Sequence, residues 1–259
     1  MDLAGVGVLS VGLLLLVTPL VFGQEAGWPT WTWMCLIGSV PVFALFAVVE
    51  RRVAASGRAP LIAVHLLARP RISLALCAQA SIRAAYFALL FVVALYLQQG
   101  LGASPTYSGL VPVSWVATFA LVGPVLSRMD PQARSLAAPV GGVLMAVSFA
   151  GVALGADVWW LVALLGVGGV GYGSAFSGTL AHLTDAVEPR HAPDVSGLFN
   201  TTLQVGGTLG VAAFGTVYLN LAGAGPRHAF AVTSWALAAL SITAAVLFHL
   251  ANRAESTPA

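Results

Sequence analysis

The sequence predicts an all-α integral membrane protein that crosses the bilayer eight times. Of its 259 residues, 59% are hydrophobic and 8% are charged, whereas a soluble domain carries about 25% charged residues. Nine acidic and eleven basic residues are too few to cover the surface of a water-soluble fold of this size. The apolar runs are long enough for membrane-spanning helices and lack the two-residue alternation of barrel strands.

Eight mostly apolar runs have the length of a spanning helix, about 20 residues. In chain order they cover residues 3–22, 31–49, 72–97, 105–126, 136–154, 158–183, 194–221 and 229–250. Ser104 is placed as the N-cap of the fourth span, with Pro105 at its first helical position. Asp157 and Asp194 are placed as the caps of the sixth and seventh spans.

The arginines orient these spans. All eleven basic residues are arginine, and with eight spans both termini lie on the same side of the membrane. That side holds nine arginines, the opposite side holds only Arg227, and Arg83 lies within a span. Because cytoplasmic loops carry the excess of basic residues, the sequence predicts cytoplasmic termini. The longest connection on that side, residues 50–71, has an apolar part at 61–67 that is expected to lie along the membrane surface.

The stretch 164–178, LLGVGGVGYGSAFSG, contains glycines in two overlapping patterns. The pattern G-x-G-x-x-G can mark a phosphate-binding turn between a strand and a helix, but this stretch lies inside the sixth span with no strand before it. Glycines spaced four apart also allow two membrane helices to approach closely. We therefore predict close helix contacts at five glycines, although the sequence does not identify the facing helices. They are Gly166, Gly169, Gly173, Gly206 and Gly210.

Arg83 is the most informative polar residue because it lies near the middle of the third span. An arginine at the centre of a membrane helix costs about 2.5–3.5 kcal/mol on insertion scales, so it is expected to face a cavity or bonding partners. Gln79 lies one turn before it and Tyr86 nearly one turn after, on the same helix face. Two interpretations remain open: a cation that contacts substrate or a coupling ion, or an arginine that bonds carbonyls or a neighbouring helix for structure.

A second polar stripe runs along the seventh span. Ser196, Asn200 and Gln204 are spaced four residues apart. Asn200 and Gln204 are therefore candidates for lining a substrate cavity. Amide side chains also bond one helix to another for a modest gain, which is the alternative interpretation.

Several functional classes find no support in the sequence. No Asp or Glu lies well inside any span, so the chain has no obvious proton carrier of its own. The five histidines lie near span ends or in loops without metal-ligand spacing, and no catalytic constellation is present. The arginines do not gather into a nucleic-acid-binding face. We therefore predict no enzymatic activity, no cofactor, no metal site and no nucleic-acid partner.

Several segments resemble one family. The segment 194–218, DVSGLFNTTLQVGGTLGVAAFGTVY, resembles the penultimate helix of the fourteen-helix drug:proton antiporters, a branch of the major facilitator superfamily. The segment 96–114, YLQQGLGASPTYSGLVPVS, is similar to the junction before their tenth helix, and 1–16, MDLAGVGVLSVGLLLL, is similar to the start of their seventh. The resemblance covers nearly the whole chain in family order.

The resemblance implies an architecture. Residues 1–58 would be the two central helices of that family and the start of a cytoplasmic loop. Residues 59–259 would be the C-terminal six-helix half of the transporter, built from two inverted three-helix repeats. The N-terminal half, which carries the membrane carboxylates for proton coupling in the family, is missing from the expected arrangement.

The resemblance also implies a function: proton-coupled efflux of amphipathic or cationic small molecules across the cell membrane, with Arg83, Gln79, Tyr86, Asn200 and Gln204 lining the cavity. The family transports by rocking two halves around a central site. This chain is therefore expected to be inactive alone, unless it pairs with a separate N-terminal half or with a second copy. The alternative is a non-transporting protein of the bilayer, either a truncated remnant or a partner or scaffold subunit.

Overall fold

The computed structural model of the chain describes residues 3–23, 27–55, 64–155, 158–188 and 191–254. Within these ranges the regular secondary structure is helical, which confirms the predicted all-α fold class. The α-helices, numbered in chain order, are α1 Leu3–Phe22, α2 Thr30–Ala55, α3 Val64–Leu67, α4 Pro70–Leu95, α5 Pro105–Leu110, α6 Val113–Leu126, α7 Pro131–Ser135, α8 Ala137–Ala153, α9 Val158–Asp185, α10 Ala192–Ala222 and α11 Pro226–Arg253. A π-helical turn at Tyr96–Gly100 extends α4.

Six helical segments in the described ranges are long and apolar enough to cross a membrane, and each overlaps a predicted span. They are Thr30–Val49, Pro70–Gly100, Pro105–Leu126, Trp159–Asp185, Ala192–Ala222 and Pro226–Arg253. The first and fifth predicted spans correspond to shorter apolar helices, Gly7–Pro19 within α1 and Ala137–Ala153. The chain is therefore a multi-pass membrane protein.

The fourth predicted span begins as expected but is interrupted. The Ser104 hydroxyl accepts a hydrogen bond from the Tyr107 backbone N–H at 3.3 Å, and Pro105 takes the first helical position. The helix then breaks between Leu110 and Val113. Pro112 lies in this break, and proline both lacks the N–H that a helix requires and clashes with the carbonyl one turn earlier.

The predicted cap at Asp194 is wrong. Helix α10 begins at Ala192, so Asp194 lies in its first turn, where Oδ2 is 3.3 Å from Nδ1 of His191. Pro193 does not block this earlier start, because N–H groups in a first helical turn have no partner within the helix.

Three sequence-based predictions fall partly or wholly on residues that the structure leaves undescribed. The cap at Asp157 and the domain boundary between residues 58 and 59 lie outside the described ranges. Of the predicted surface segment 61–67, only residues 64–67 are described, and they form α3.

The chain divides into two compact units, which we describe separately. The first comprises residues 1–69 and 189–200, and in it α1 packs along α2. The second comprises residues 70–188 and 201–259. In this second unit α8 packs against both α9 and α11, α6 packs on α9, and α4 packs on α11. Fully buried side chains of its core include Met145, Phe149, Leu165 and Leu237.

Two glycines of α10 bring this helix against α4. A Cβ atom added at Gly206 would lie 2.6 Å from the carbonyl oxygen of Ala80. One added at Gly210 would overlap the backbone of Ala84. Because these positions carry no side chain, the two backbones meet directly.

Three glycines of α9 face α6, and the distances from their positions to the atoms of α6 differ. Gly169 lies directly against the Thr118 side chain, and a Cβ at Gly173 would lie 2.8 Å from the Cβ of Val122. Gly166 is looser, since the nearest atom to its added Cβ is the Thr118 methyl carbon at 3.7 Å. The contact between α6 and α9 is therefore closest in the middle of α9.

Another side of α9 meets α8. A Cβ at Gly171 would lie 2.7 Å from the carbonyl oxygen of Gly141, and one at Gly178 would lie 2.7 Å from the backbone nitrogen of Ala138. The glycine-rich stretch thus lies against two helices at once.

We expect Gly210→Ala to destabilise the protein. The new methyl group would collide with the backbone of α4, and overpacking of this kind costs about 1–3 kcal/mol. The thermal unfolding midpoint of the detergent-solubilised chain, followed by circular dichroism, measures the effect. Gly123→Ala in α6 is the matched control, because no atom lies within 4 Å of its added Cβ. Equal midpoints for the two variants would contradict the close contact.

Candidate functional site

Arg83 lies close to the middle of the 31-residue apolar segment Pro70–Gly100. Its side chain is half-buried, whereas the neighbouring residues Ile82, Ala84 and Ala85 are buried in the helical core. Since a helix rises about 1.5 Å per residue, this position is remote from both ends of the segment. The guanidinium must therefore be stabilised by its protein surroundings.

Two kinds of contact hold the Arg83 guanidinium. Nη1 donates a hydrogen bond to the Tyr172 hydroxyl of α9 at 2.5 Å. The guanidinium carbon also lies 4.2 Å from the ring centroid of Phe87, a cation–π distance. Nε, in contrast, is buried and has no hydrogen-bond partner in the described part of the chain. Nη1 of Arg83 is therefore hydrogen-bonded, whereas Nε has no hydrogen-bond partner among the described residues.

Aromatic rings from several helices of the second unit surround Tyr172. Tyr86 of α4 stacks on Tyr172 with centroids 4.6 Å apart and on Trp115 of α6 with centroids 5.3 Å apart. Phe119 lies 5.3 Å and Phe176 lies 6.2 Å from the Tyr172 ring. Phe149 of α8 completes the group by stacking on Trp115 at 6.0 Å. We call these six rings the aromatic cluster.

Two further polar groups near the cluster are buried without partners. Gln79, one turn before Arg83, is fully buried, and neither its side-chain nitrogen nor its side-chain oxygen has a hydrogen-bond partner among the residues described. The same holds for Nε1 of Trp115. A buried polar group without a partner costs about 1–3 kcal/mol.

Helix α10 passes beside Arg83. A Cβ at Gly207 would lie 3.5 Å from the Phe87 ring and 3.8 Å from Cγ of Arg83. Gln204, one turn earlier, is exposed, and its backbone carbonyl accepts a hydrogen bond from Thr208.

Asn200 belongs to the first compact unit, and its side-chain nitrogen donates to the Ser196 carbonyl at 3.0 Å. Of the five predicted cavity residues, Gln79, Arg83 and Tyr86 share a face of α4. Gln204 lies on α10 in the same unit, whereas Asn200 is described only by its own local contact.

Sequence reasoning missed Tyr172 and Trp115, which contribute most to the surroundings of Arg83 and Tyr86. Both lie in apolar runs, where an aromatic residue has no pattern that separates a cluster member from a lipid-facing residue. One signal was available. Tyr172 lies between Gly171 and Gly173, and glycines on both sides of a tyrosine indicate a position where neighbouring helices come close.

The chain is similar in sequence to one known family and to several known proteins. The sequence model of the Major Facilitator Superfamily matches residues 3–211 and 75–259. The chain is 31% identical over 231 residues to the probable actinorhodin transporter of Streptomyces coelicolor, an alignment that covers 86% of this chain and 40% of that protein. It is 31% identical over 239 residues to the cephamycin export protein of Amycolatopsis lactamdurans, covering 84% of this chain and 46% of that protein.

A third relative is the tetracenomycin C resistance and export protein of Streptomyces glaucescens, 27% identical over 257 residues, which cover 89% of this chain and 46% of that protein. The chain thus spans less than half the length of each of these curated relatives.

We expect Tyr172→Phe to lower the free energy of unfolding by about 1–2 kcal/mol, because it removes the acceptor for a charged donor inside the bundle. Denaturant titration of the detergent-solubilised chain measures this change. Tyr107→Phe is the control, since Tyr107 is 39% exposed. The effects of Tyr172→Phe and Arg83→Gln should be less than additive, because both remove the same hydrogen bond. Strict additivity would show that the two residues are not coupled.

Proposed function

Since the chain belongs to the major facilitator superfamily, a family of transporters rather than enzymes, we propose that it is the C-terminal part of an exporter of amphipathic small molecules. The relatives described above are named as a transporter and as export proteins for antibiotics. The observation that carries the proposal is the half-buried Arg83, bonded to Tyr172 beside stacked aromatic rings in the middle of an apolar helix. A cation in that position supplies charge recognition, and the rings supply apolar contact.

Transport requires a second half. Transporters of this family alternate access by rocking two halves around a central site, and this chain spans less than half the length of its relatives. Arg83 and the aromatic cluster therefore supply one wall of the cavity. A separate N-terminal half or a second copy of the chain supplies the other.

Proton coupling also depends on the partner. The sequence contains no Asp or Glu well inside a span, so the residue that gains and loses the proton has to come from an N-terminal half and not from a second copy of this chain. The protein lies in the cell membrane with both termini on the cytoplasmic side, an orientation supported by the distribution of its arginines.

A flux measurement tests the need for a partner. In proteoliposomes that contain this chain alone, we expect an imposed proton gradient to drive no more efflux of a fluorescent amphipathic dye than in protein-free liposomes. The physical reason is that one half offers only one wall of the cavity. Gradient-driven efflux by the chain alone would refute the need for a separate N-terminal half and would identify a second copy of the chain as the other wall.

The DNA sequence upstream of the gene distinguishes a two-part transporter from a non-transporting remnant or scaffold subunit. A reading frame for six spans with an acidic residue inside one of them is the outcome expected for a two-part transporter. Co-reconstitution of that half with this chain should then restore efflux, and Arg83→Gln should abolish the gain. A disrupted frame, or no efflux from the pair, would instead identify a non-transporting remnant or scaffold subunit.

Chemical labelling tests the orientation. Cys35 and Cys77 are both free thiols, so the test starts from a variant with both changed to Ala. Single cysteines are then placed at two exposed positions, Gly223→Cys after α10 and Asp130→Cys before α7. We expect a membrane-impermeant maleimide to label position 223 in intact cells and position 130 only after permeabilisation. The reverse pattern would overturn the orientation.

A further inference from the structure

We propose that the face of the bundle at Arg83 binds an anionic planar aromatic molecule, with a carboxylate or phenolate on the guanidinium and the rings against the aromatic cluster. This inference rests on the proposed transport function and narrows its substrate class. Family resemblance alone implies amphipathic or cationic substrates. The contacts of Arg83 favour the opposite charge.

The first argument is the charge near the membrane midplane. In the described full-length spans, the other arginine and aspartate residues lie within a turn of a span end: Arg71, Asp185, Asp194, Arg227 and Arg253. Among the described residues of these spans, Arg83 therefore has no acidic counter-charge near it. A cationic ligand would be repelled in this low-dielectric site, whereas an anion would offset the cost of placing a lone arginine there.

The second argument is the inventory of hydrogen-bond donors. Nη1 of Arg83 is occupied by Tyr172, while Nε is buried and unpaired among the described residues. Nε and Nη2 form the edge of a guanidinium that binds a carboxylate through two parallel hydrogen bonds. Nε1 of Trp115, a group that can only donate, is also buried and unpaired.

These donors are connected through ring contacts. Trp115 stacks on Tyr86, Tyr86 stacks on Tyr172, and Tyr172 holds Arg83. Gln79, one turn from Arg83 on the same helix face, adds one unpaired donor and one unpaired acceptor. The unpaired donors of Arg83 and Trp115 therefore carry the preference for a ligand with acceptor groups.

The third argument is the shape offered to the rest of the ligand. Tyr86 is inclined by 24° to Tyr172 and by 25° to Trp115, whereas Tyr172 and Trp115 are tilted by 44° to each other. Tyr86, Phe87 and Phe119 are partly exposed. Aromatic pairs prefer offset or edge-to-face contacts at centroid distances of about 4.5–7 Å, so the partly exposed rings can pack against an aromatic ligand.

An arginine with a purely structural role would show different contacts. Buried N–H groups in folded proteins nearly always find an acceptor, and a structural Arg83 would use carbonyl groups of neighbouring helices. Here the contacts that are made, to Tyr172 and Phe87, involve side chains that also form ring faces. The unpaired Nε therefore favours a bound acceptor over a structural arginine.

A matched series of probes tests the proposal: anthracene-2-carboxylate, its neutral hydroxymethyl analogue and its aminomethyl (ammonium) analogue. The full chain is placed in nanodiscs of neutral phosphatidylcholine, and fluorescence anisotropy is measured with empty nanodiscs subtracted. We expect the carboxylate to bind about tenfold more tightly than the ammonium probe, the equivalent of one charge-assisted hydrogen bond. Equal binding, or tighter binding of the ammonium probe, would overturn the proposal.

Variants locate the site. Arg83→Gln should remove the preference for the carboxylate over the neutral probe, whereas Arg227→Gln, at the start of α11, should keep this preference. If Arg83→Gln does not fold, Trp115→Phe tests the same proposal, because this variant retains an aromatic ring but loses the Nε1 donor. We expect it to weaken carboxylate binding about threefold to tenfold relative to the neutral probe. A carboxylate preference that survives Arg83→Gln, or unchanged carboxylate binding by Trp115→Phe, would overturn the proposal.

The result is separable from the proposed transport function. Export by the paired halves with no preference for anions would refute the substrate class and leave transport standing. An Arg83-dependent preference for the carboxylate, without export, would support the binding site and refute transport.

Discussion

The exclusion of water from the bilayer core is the constraint on which this structure depends. Without water, backbone polar groups must bond within their own helix, and lipid tails give apolar helices no hydrophobic reason to associate. Contacts between helices must therefore come from close packing. The glycines supply it: Gly206 and Gly210 bring α10 onto α4, and Gly171 brings α9 onto α8.

The candidate site depends on the same packing. Tyr172 lies in the part of α9 whose glycines pack against α6 and α8, and its phenol accepts a hydrogen bond from the Arg83 guanidinium of α4 at 2.5 Å. Trp115 of α6 stacks on Tyr86 of α4. The polar contacts of the bundle interior therefore lie where the helices pack closely.

The sequence predicted the helices well because the length of an apolar run is set by bilayer thickness. It also predicted the cap at Ser104, which needs only local residue types. It did not predict the interruption at Pro112 or the π-helical turn at Tyr96–Gly100, where the helix period changes within an apolar run. Arg83 was found because a charge in a span is conspicuous. Its partner Tyr172 was not, since that contact joins residues 89 positions apart.

Glycines of α9 face both α6 and α8, and this limits which mutations the gene tolerates. Any single-base change that alters a glycine codon adds a side chain, and on this helix the addition meets α6 or α8. We therefore expect substitutions at these codons to be tolerated less often than those at Trp159 or Leu154, which are 84% and 74% exposed. Over generations, drift in this gene should collect on its outer surface and leave the middle of α9 as its slowest-changing segment.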